Sequence, residues 1–408
     1  MLDPTHVRAQ FPALQRSHDG QHAIYFDNPA GTQIVESAMS ELQRYFIWSN
    51  ANVGGAFVTS QHTDRLIAET RQAMADFLGA ASPREIVFGQ NMTSLTFEFS
   101  HAFARTLRAG DQIVTTRLEH DANVSPWLAL QERGVEVRFI DIHPENGTLD
   151  LQTARDAISD RTRLVAAGYA SNSLGTINDV RTLAQMAHEQ GALMYVDAVH
   201  YAPHGPIDVQ DIDCDFLVCS PYKFFGPHLG VLYGRFDLLR QIPSYHVRPA
   251  GTEPPDTWET GTQSHEAMAA LLGTIRYLQS LTPDAGQSRR DQLHNTMARI
   301  KLHERSLSEY LLAGLARIPC LTVYGITDPA EFDSRVPTVS FLIDGHNPYA
   351  VARALGERNI FTWAGNHYAI EPLRRLGLEV TQRIGLVHYN TPDEIDRFLD
   401  ALDQIVAA

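Results

Sequence analysis

The chain reads as an α/β protein with a large unit built on a mostly parallel seven-stranded sheet and a smaller C-terminal α/β unit. Three observations predict this. Its 408 residues leave room for two or three structural units. Short apolar runs alternate with helix-like stretches through the middle of the chain, the pattern of strand–helix–strand units. After about Pro283 the texture changes, and a long polar helix leads into a second set of strands.

In chain order, the expected strands of the large sheet are residues 85–88, 112–115, 135–141, 164–170, 193–196, 216–219 and 230–233. Gly191 closes the helical stretch 180–190 and Gly110-Asp111 closes the one before it, because glycine takes the left-handed turn that ends a helix. Beyond Pro283 the reading is a helix over 287–317, then strands near 321–324, 338–343, 360–363 and 383–387, and a last helix near 392–406. Residues 21–283 form the expected large unit, and residues 1–20 and 284–408 the small one.

Composition narrows the function classes. Hydrophobic residues make up 44% and charged residues 20%, as in soluble globular enzymes. The formal charge of −15 works against nucleic acid or an anionic membrane as a partner. The start, Met1-Leu2-Asp3-Pro4-Thr5-His6, has neither the basic nor the apolar region of a signal peptide, and no apolar run approaches the roughly 18 residues of a membrane span. A cytoplasmic protein is expected. Cys214, Cys219 and Cys320 are an odd number without Cys-x-x-Cys spacing, so they read as buried small apolar residues rather than a disulfide framework or zinc site. No metal is expected.

The chemistry enters with Lys223, in Ser220-Pro221-Tyr222-Lys223, and Asp197, which ends the apolar run Leu193-Met194-Tyr195-Val196. Pyridoxal 5'-phosphate requires such a pair: a lysine amine condenses with the cofactor aldehyde, and an acid across the ring keeps its nitrogen protonated. The phosphate needs an anion seat. Phe88-Gly89-Gln90-Asn91-Met92-Thr93-Ser94 supplies one where a strand leads into a helix, through the N–H groups near Met92 and Thr93 and the Thr93 hydroxyl. His120, in Glu119-His120-Asp121-Ala122-Asn123, follows the next strand, where an imidazole can stack on a flat ring. Asn172 follows another, and His200 lies just beyond Asp197. Singly, these residues read better as helix or strand-end caps, solvated imidazoles or a surface ammonium. Their order joins them, since each follows a different strand of one sheet and strand ends converge.

These segments resemble the class V aminotransferases of fold type I, in particular the cysteine desulfurase branch, from Tyr25 to the C-terminus. Tyr25-Phe26-Asp27-Asn28-Pro29-Ala30 is similar to the family's opening motif, residues 119–123 to its E-H-H-A-N, and residues 171–176 to its S-N-x-L-G-T. The resemblance implies that His120 stacks on the pyridine ring, that Asp197 holds its nitrogen and that His200 faces the ring hydroxyl. Ser220 and Tyr222 would join Thr93 on the phosphate. Thr262, in Glu259-Thr260-Gly261-Thr262, would reach the neighbouring subunit's phosphate, implying a homodimer with shared active sites. Arg383 would grip the substrate α-carboxylate, with Asn28, Trp363 and His367 also at the substrate.

The departures are equally specific. Where cysteine desulfurases carry R-x-G-H-H-C, this chain has Trp363-Ala364-Gly365-Asn366-His367-Tyr368, so Tyr368 stands in the place of the sulfur-accepting cysteine. A phenol cannot form a persulfide. Val53-Gly54-Gly55 stands where relatives read H-R-G, so the pocket is expected to take a bulkier or less polar side chain than that of cysteine. The resulting expectation is an enzyme on a small-molecule amino-acid substrate, with Lys223 as the base for the α-proton and a carbon–sulfur lyase outcome with Tyr368 as proton donor. An aminotransferase, an epimerase and a catalytically idle cofactor-binding scaffold are the alternatives.

Overall fold

The structure, a computed structural model, describes residues 2–18, 20–284 and 286–407. Its central sheet has seven strands: β1 (Ile86–Gly89), β2 (Gln112–Thr116), β3 (Glu136–Ile140), β4 (Thr162–Gly168), β5 (Leu193–Asp197), β6 (Phe216–Cys219) and β7 (Gly230–Gly234). Their order is β1-β7-β6-β5-β4-β2-β3. Only β7 runs antiparallel to its neighbours; the other pairs are parallel. All seven expected strands lie in this sheet. Strands β2, β6 and β7 are buried along their whole length, which is why β6, Phe216-Leu217-Val218-Cys219, reads as an unbroken apolar run.

Helices between the strands bury one face against the sheet. Val180–Glu189, between β4 and β5, hides Val180, Leu183, Ala184 and Ala187, the spacing of one helical stripe. The Asp179 carboxylate caps its start by accepting from the Thr182 N–H. No helix among the described residues is long and apolar enough to cross a membrane.

The second sheet is antiparallel, with β8 (Leu321–Tyr324), β9 (Thr338–Ile343), β10 (Trp363–Gly365) and β11 (Thr381–Gly385) in the order β8-β9-β11-β10. The strand expected at 360–363 is two. Ile360–Phe361 pairs parallel with Ile24–Tyr25, and the chain then crosses to the sheet as β10. The placement of residues 1–20 with the small unit is corrected by packing: Leu2, Val7, Phe11 and Leu14 lie in the core of the large sheet, whereas Ile24 and Phe26 lie in that of the small one. The helix Arg289–Leu315 serves both, with Leu293, Met297 and Ile300 in the large core and Leu307, Leu311 and Leu315 in the small.

Between the two sheets residues 26–35 form a strap. Gly385 of β11 donates to the Phe26 carbonyl at 2.8 Å, Thr32 N donates to the Tyr222 carbonyl at 3.1 Å, and Phe225 N donates to Thr32 Oγ1 at 2.8 Å. The strap therefore ties the second sheet to the turn carrying Lys223. At Gly385 there is no room for a side chain, since a Cβ there would overlap the Pro29 ring. Gly385→Ala should destabilise the protein by about 1–3 kcal/mol through this overpacking and lower its melting temperature; a variant that melts with the parent would show that the strap has slack.

Candidate cofactor and substrate site

The carboxyl ends of β2, β4, β5 and β6 open onto one cavity of about 530 Å³, closed on the far side by β10, β11 and the loop after β10. Lys223 borders it from a short 3-10 turn after β6. Its Nζ donates to the Pro29 carbonyl of the strap at 2.5 Å and lies 4.9 Å from the centroid of the Tyr222 ring. Burial, together with the Arg383 charge, pushes the Lys223 amine down to about 7, with Asp197 pulling the other way. Lys223 and Lys301 are the chain's only lysines, a count that would have singled out Lys223 at once.

Asp197 ends β5 and faces the same space. Burial raises its carboxyl to about 6, against the Val199 N–H, which donates to Oδ1 at 2.9 Å, and the Lys223 charge. At neutral pH it is ionised, and a cation opposite would hold it so. His120 borders the cavity after β2; its Nδ1 accepts from Ala122 N at 3.1 Å, and burial plus the charges of Lys223 and Arg383 lower it to about 4. Its ring is thus a neutral imidazole. His200 also borders the cavity, with Nε2 2.9 Å from Thr338 Oγ1, and burial holds it well below the usual histidine range.

Met92, Thr93, Asn172, Ser220 and Tyr222 border this cavity as well. Asn91 caps the helix Met92–Phe103 through its side chain, which accepts from Ser94 N at 2.8 Å. Among the described residues the Met92 and Thr93 N–H groups meet no protein acceptor, as at any helix start. Arg383, on β11, donates through Nη1 to the Asn172 carbonyl at 2.9 Å, while its buried Nε has no partner. That leaves the Nε–Nη2 edge for an anion. Asn172 Nδ2 donates to the His367 carbonyl at 2.8 Å, and its buried Oδ1 is unpartnered.

The loop after β10 forms the rim. His367 and Tyr368 both have positive φ, 56° and 55°, a conformation that costs energy outside glycine and collects at functional sites. Asp121 N donates to the Tyr368 carbonyl at 2.7 Å, and the Tyr368 ring stacks on His120 at 5.4 Å. Tyr368 stays 69% exposed and Trp363 52%. His367 borders the cavity with its ring committed elsewhere, Nε2 lying 3.1 Å from Thr381 Oγ1.

Two expected residues lie outside. Asn28 is corrected to a structural role: its amide donates to the Tyr25 and Gly385 carbonyls at 2.8 and 2.9 Å, and its Oδ1 accepts from the Tyr389 hydroxyl, leaving nothing for a substrate. Thr262 borders a separate cleft of about 640 Å³ with Gln90, Ser94 and Glu98. Glu119, next to His120 in the same motif, also borders the cavity and carried no signal of its own in the sequence. Its buried carboxylate accepts from Thr116 Oγ1, Gly168 N and Asn123 Nδ2 at 2.6, 2.8 and 2.7 Å, tying the His120 loop to β4, and burial raises it to about 7. His228, stacked on Tyr222 at 4.8 Å, carried no signal in the sequence.

None of the three thiols borders the cavity: Cys214 and Cys219 are buried, and Cys320 lies just before β8. The unpartnered Arg383 Nε and Asn172 Oδ1, the open helix N-terminus at Met92 and the enclosed amine facing a carboxylate fit a flat anionic cofactor that bonds to an amine. Fold and site together define the pyridoxal 5'-phosphate-dependent enzymes of fold type I. The chain belongs to the aminotransferase class-V family, which matches it over residues 24–398. It is 33% identical over 420 residues to a probable cysteine desulfurase of Mycolicibacterium paratuberculosis, covering 99% of this chain but 58% of that protein's length. It is likewise 33% identical to a cysteine desulfurase of Pectobacterium atrosepticum, covering 98% and 97%. Among solved structures, an apo cysteine desulfurase from Thermococcus onnurineus superposes with a TM-score of 0.90 at 29% identity, covering 100% and 99%.

The lowered Lys223 amine is testable without any cofactor. Trinitrophenylation of Lys223 by trinitrobenzenesulfonate, in which the amine displaces sulfite from the ring, should rise in the apo protein as pH passes upward through about 7 and then level off when read by peptide mass spectrometry, because only the neutral amine reacts. A rate still climbing steeply above pH 9 would place the amine in water instead.

Proposed function

We propose that this protein is a cysteine desulfurase-like β-lyase that cleaves the carbon–sulfur bond of an S-substituted cysteine without persulfide chemistry. The observation that carries this reading is Tyr368 on the cavity rim while every thiol lies elsewhere. The reaction balances with water alone: R–S–CH2–CH(NH3+)–COO− plus water gives R–SH, pyruvate and ammonium.

Bound pyridoxal 5'-phosphate supplies an aldehyde for an amine and a ring that draws electrons from the substrate α-carbon. In this reading Met92, Thr93, Ser220 and Tyr222 would hold the phosphate, Asp197 the ring nitrogen and His200 the ring hydroxyl, with His120 against the ring. The Arg383 edge binds the α-carboxylate, two parallel N–H donors to two oxygens. Lys223, with its amine near 7, takes the α-proton, since a base tuned close to working pH is both available and strong enough. The Tyr368 hydroxyl, an O–H donor, protonates the departing sulfur. Glu119 positions His120 through its bond to Gly168 N. We further propose a homodimer in which Thr262 reaches the neighbouring site, and a cytoplasmic location.

Tyr368→Phe should lower kcat for pyruvate release by about 10²-fold, the usual contribution of a positioned proton donor, with little change in KM. If kcat is untouched, Tyr368 is not the donor. In single turnover of an S-substituted cysteine the lyase should yield pyruvate and thiol. Accumulation of the amine form of the cofactor with a keto acid would identify an aminotransferase, and a D-amino acid product an epimerase.

A further inference from the structure

Strand pairing puts one side chain directly beside the carboxylate anchor. Trp363 of β10 and Arg383 of β11 are register partners in an antiparallel pair. Residues so paired project from the same face with Cβ atoms about 4.5–5.5 Å apart. Both border the cavity. A ligand tethered by its α-carboxylate to Arg383 therefore lays its next atoms along the Trp363 indole. That indole is half exposed, stacks on no ring and meets no cation among the described residues.

The charges of the cavity are already committed. Among the described residues its only acidic or basic ones besides histidines are Glu119, Asp197, Lys223 and Arg383. Both Glu119 oxygens are bonded within the protein, and the other three belong to the cofactor and the α-carboxylate in the reading above. A second carboxylate or ammonium on the ligand's side chain would find no counter-charge, and an enclosed unpaired charge is costly. Met92, Leu118, Ala122 and Val199 complete an apolar lining. Across the opening, Tyr368 is held by its carbonyl bond to Asp121 N and its stacking on His120, so the rim is preformed.

We infer that Trp363 is a specificity-determining residue that selects amino acids whose side chain ends in an uncharged aromatic group, of which S-benzyl-L-cysteine is a representative. This rests on the assignment of Arg383 as the α-carboxylate anchor made under the proposed function. The indole offers a flat apolar face on which such a ring buries, and aromatic pairs gain beyond the area they cover.

The test is equilibrium binding to the cofactor-loaded enzyme, read by calorimetry, of 2-amino-5-phenylpentanoate against 2-aminopimelate, the isosteres of S-benzyl-L-cysteine and S-(2-carboxyethyl)-L-cysteine in which a CH2 replaces the sulfur so that no β-leaving group can depart. The phenyl isostere should bind about tenfold or more tightly. Trp363→Ala should bring the ratio to within about threefold, Trp363→Phe should keep most of it, and Trp363→Arg should shift preference towards 2-aminopimelate; thermal melts verify that each variant is folded. Equal binding of the two by the parent enzyme, or a ratio unchanged in folded Trp363→Ala, overturns the inference. Pyruvate is measured separately, from the two cysteine conjugates. Phenyl preference without pyruvate supports this selectivity and removes the lyase reading, whereas pyruvate from both conjugates at equal kcat/KM supports the lyase and removes the selectivity.

Discussion

An amine enclosed by protein opposite an enclosed carboxylate is the constraint around which the molecule is arranged. Lys223 and Asp197 end up together because β5 and β6 are adjacent and parallel, so the loops after both strands emerge at one edge. Enclosure disfavours charge on each group, lowering the lysine and raising the aspartate. The pair is held in place by the strap, whose Pro29 carbonyl accepts from Lys223 and whose Thr32 binds both sides of the lysine turn. The same strap runs on to β11 through Gly385, so the lysine and the arginine at 383 share one support.

The cavity and the strap behind it gather more charge than their own contacts neutralise. Asp27 has an unpartnered buried oxygen and is raised to about 6 by burial, with Arg383 opposing. Arg383 in turn is lowered to about 10 by burial and lacks a partner at Nε. Incompletely paired buried charge is expensive, and proteins keep it where a ligand completes it. Glu119 is the contrasting case: three donors satisfy it, which makes it a brace for the His120 loop.

The rim carries the residues on which the proposed lyase reading rests. Two consecutive left-handed residues, His367 and Tyr368, persist because Asn172 Nδ2 and Asp121 N grip their carbonyls and Thr381 takes the His367 ring. The strain aims a phenol at the opening and leaves Trp363 bare beside the anchor. An aromatic rim over a charged floor is the physical basis for both the lyase reading and its side-chain preference.

The seven large-sheet strands and the loops carrying Met92, His120, Asn172, Asp197 and Lys223 were legible in the sequence because they are local: an apolar run, its end and the polar residues just beyond. The absence of cysteine from the rim loop was legible for the same reason. Only the tertiary structure decided that the Lys223 amine meets a carbonyl 194 residues away, that Asn28 is spent inside the fold, that the leading helix packs on the large core, and that Trp363 stands opposite Arg383. These depend on pairing between distant segments, and in a strand a one-residue change of register turns every side chain to the other face; composition and spacing along the chain carry no measure of that register.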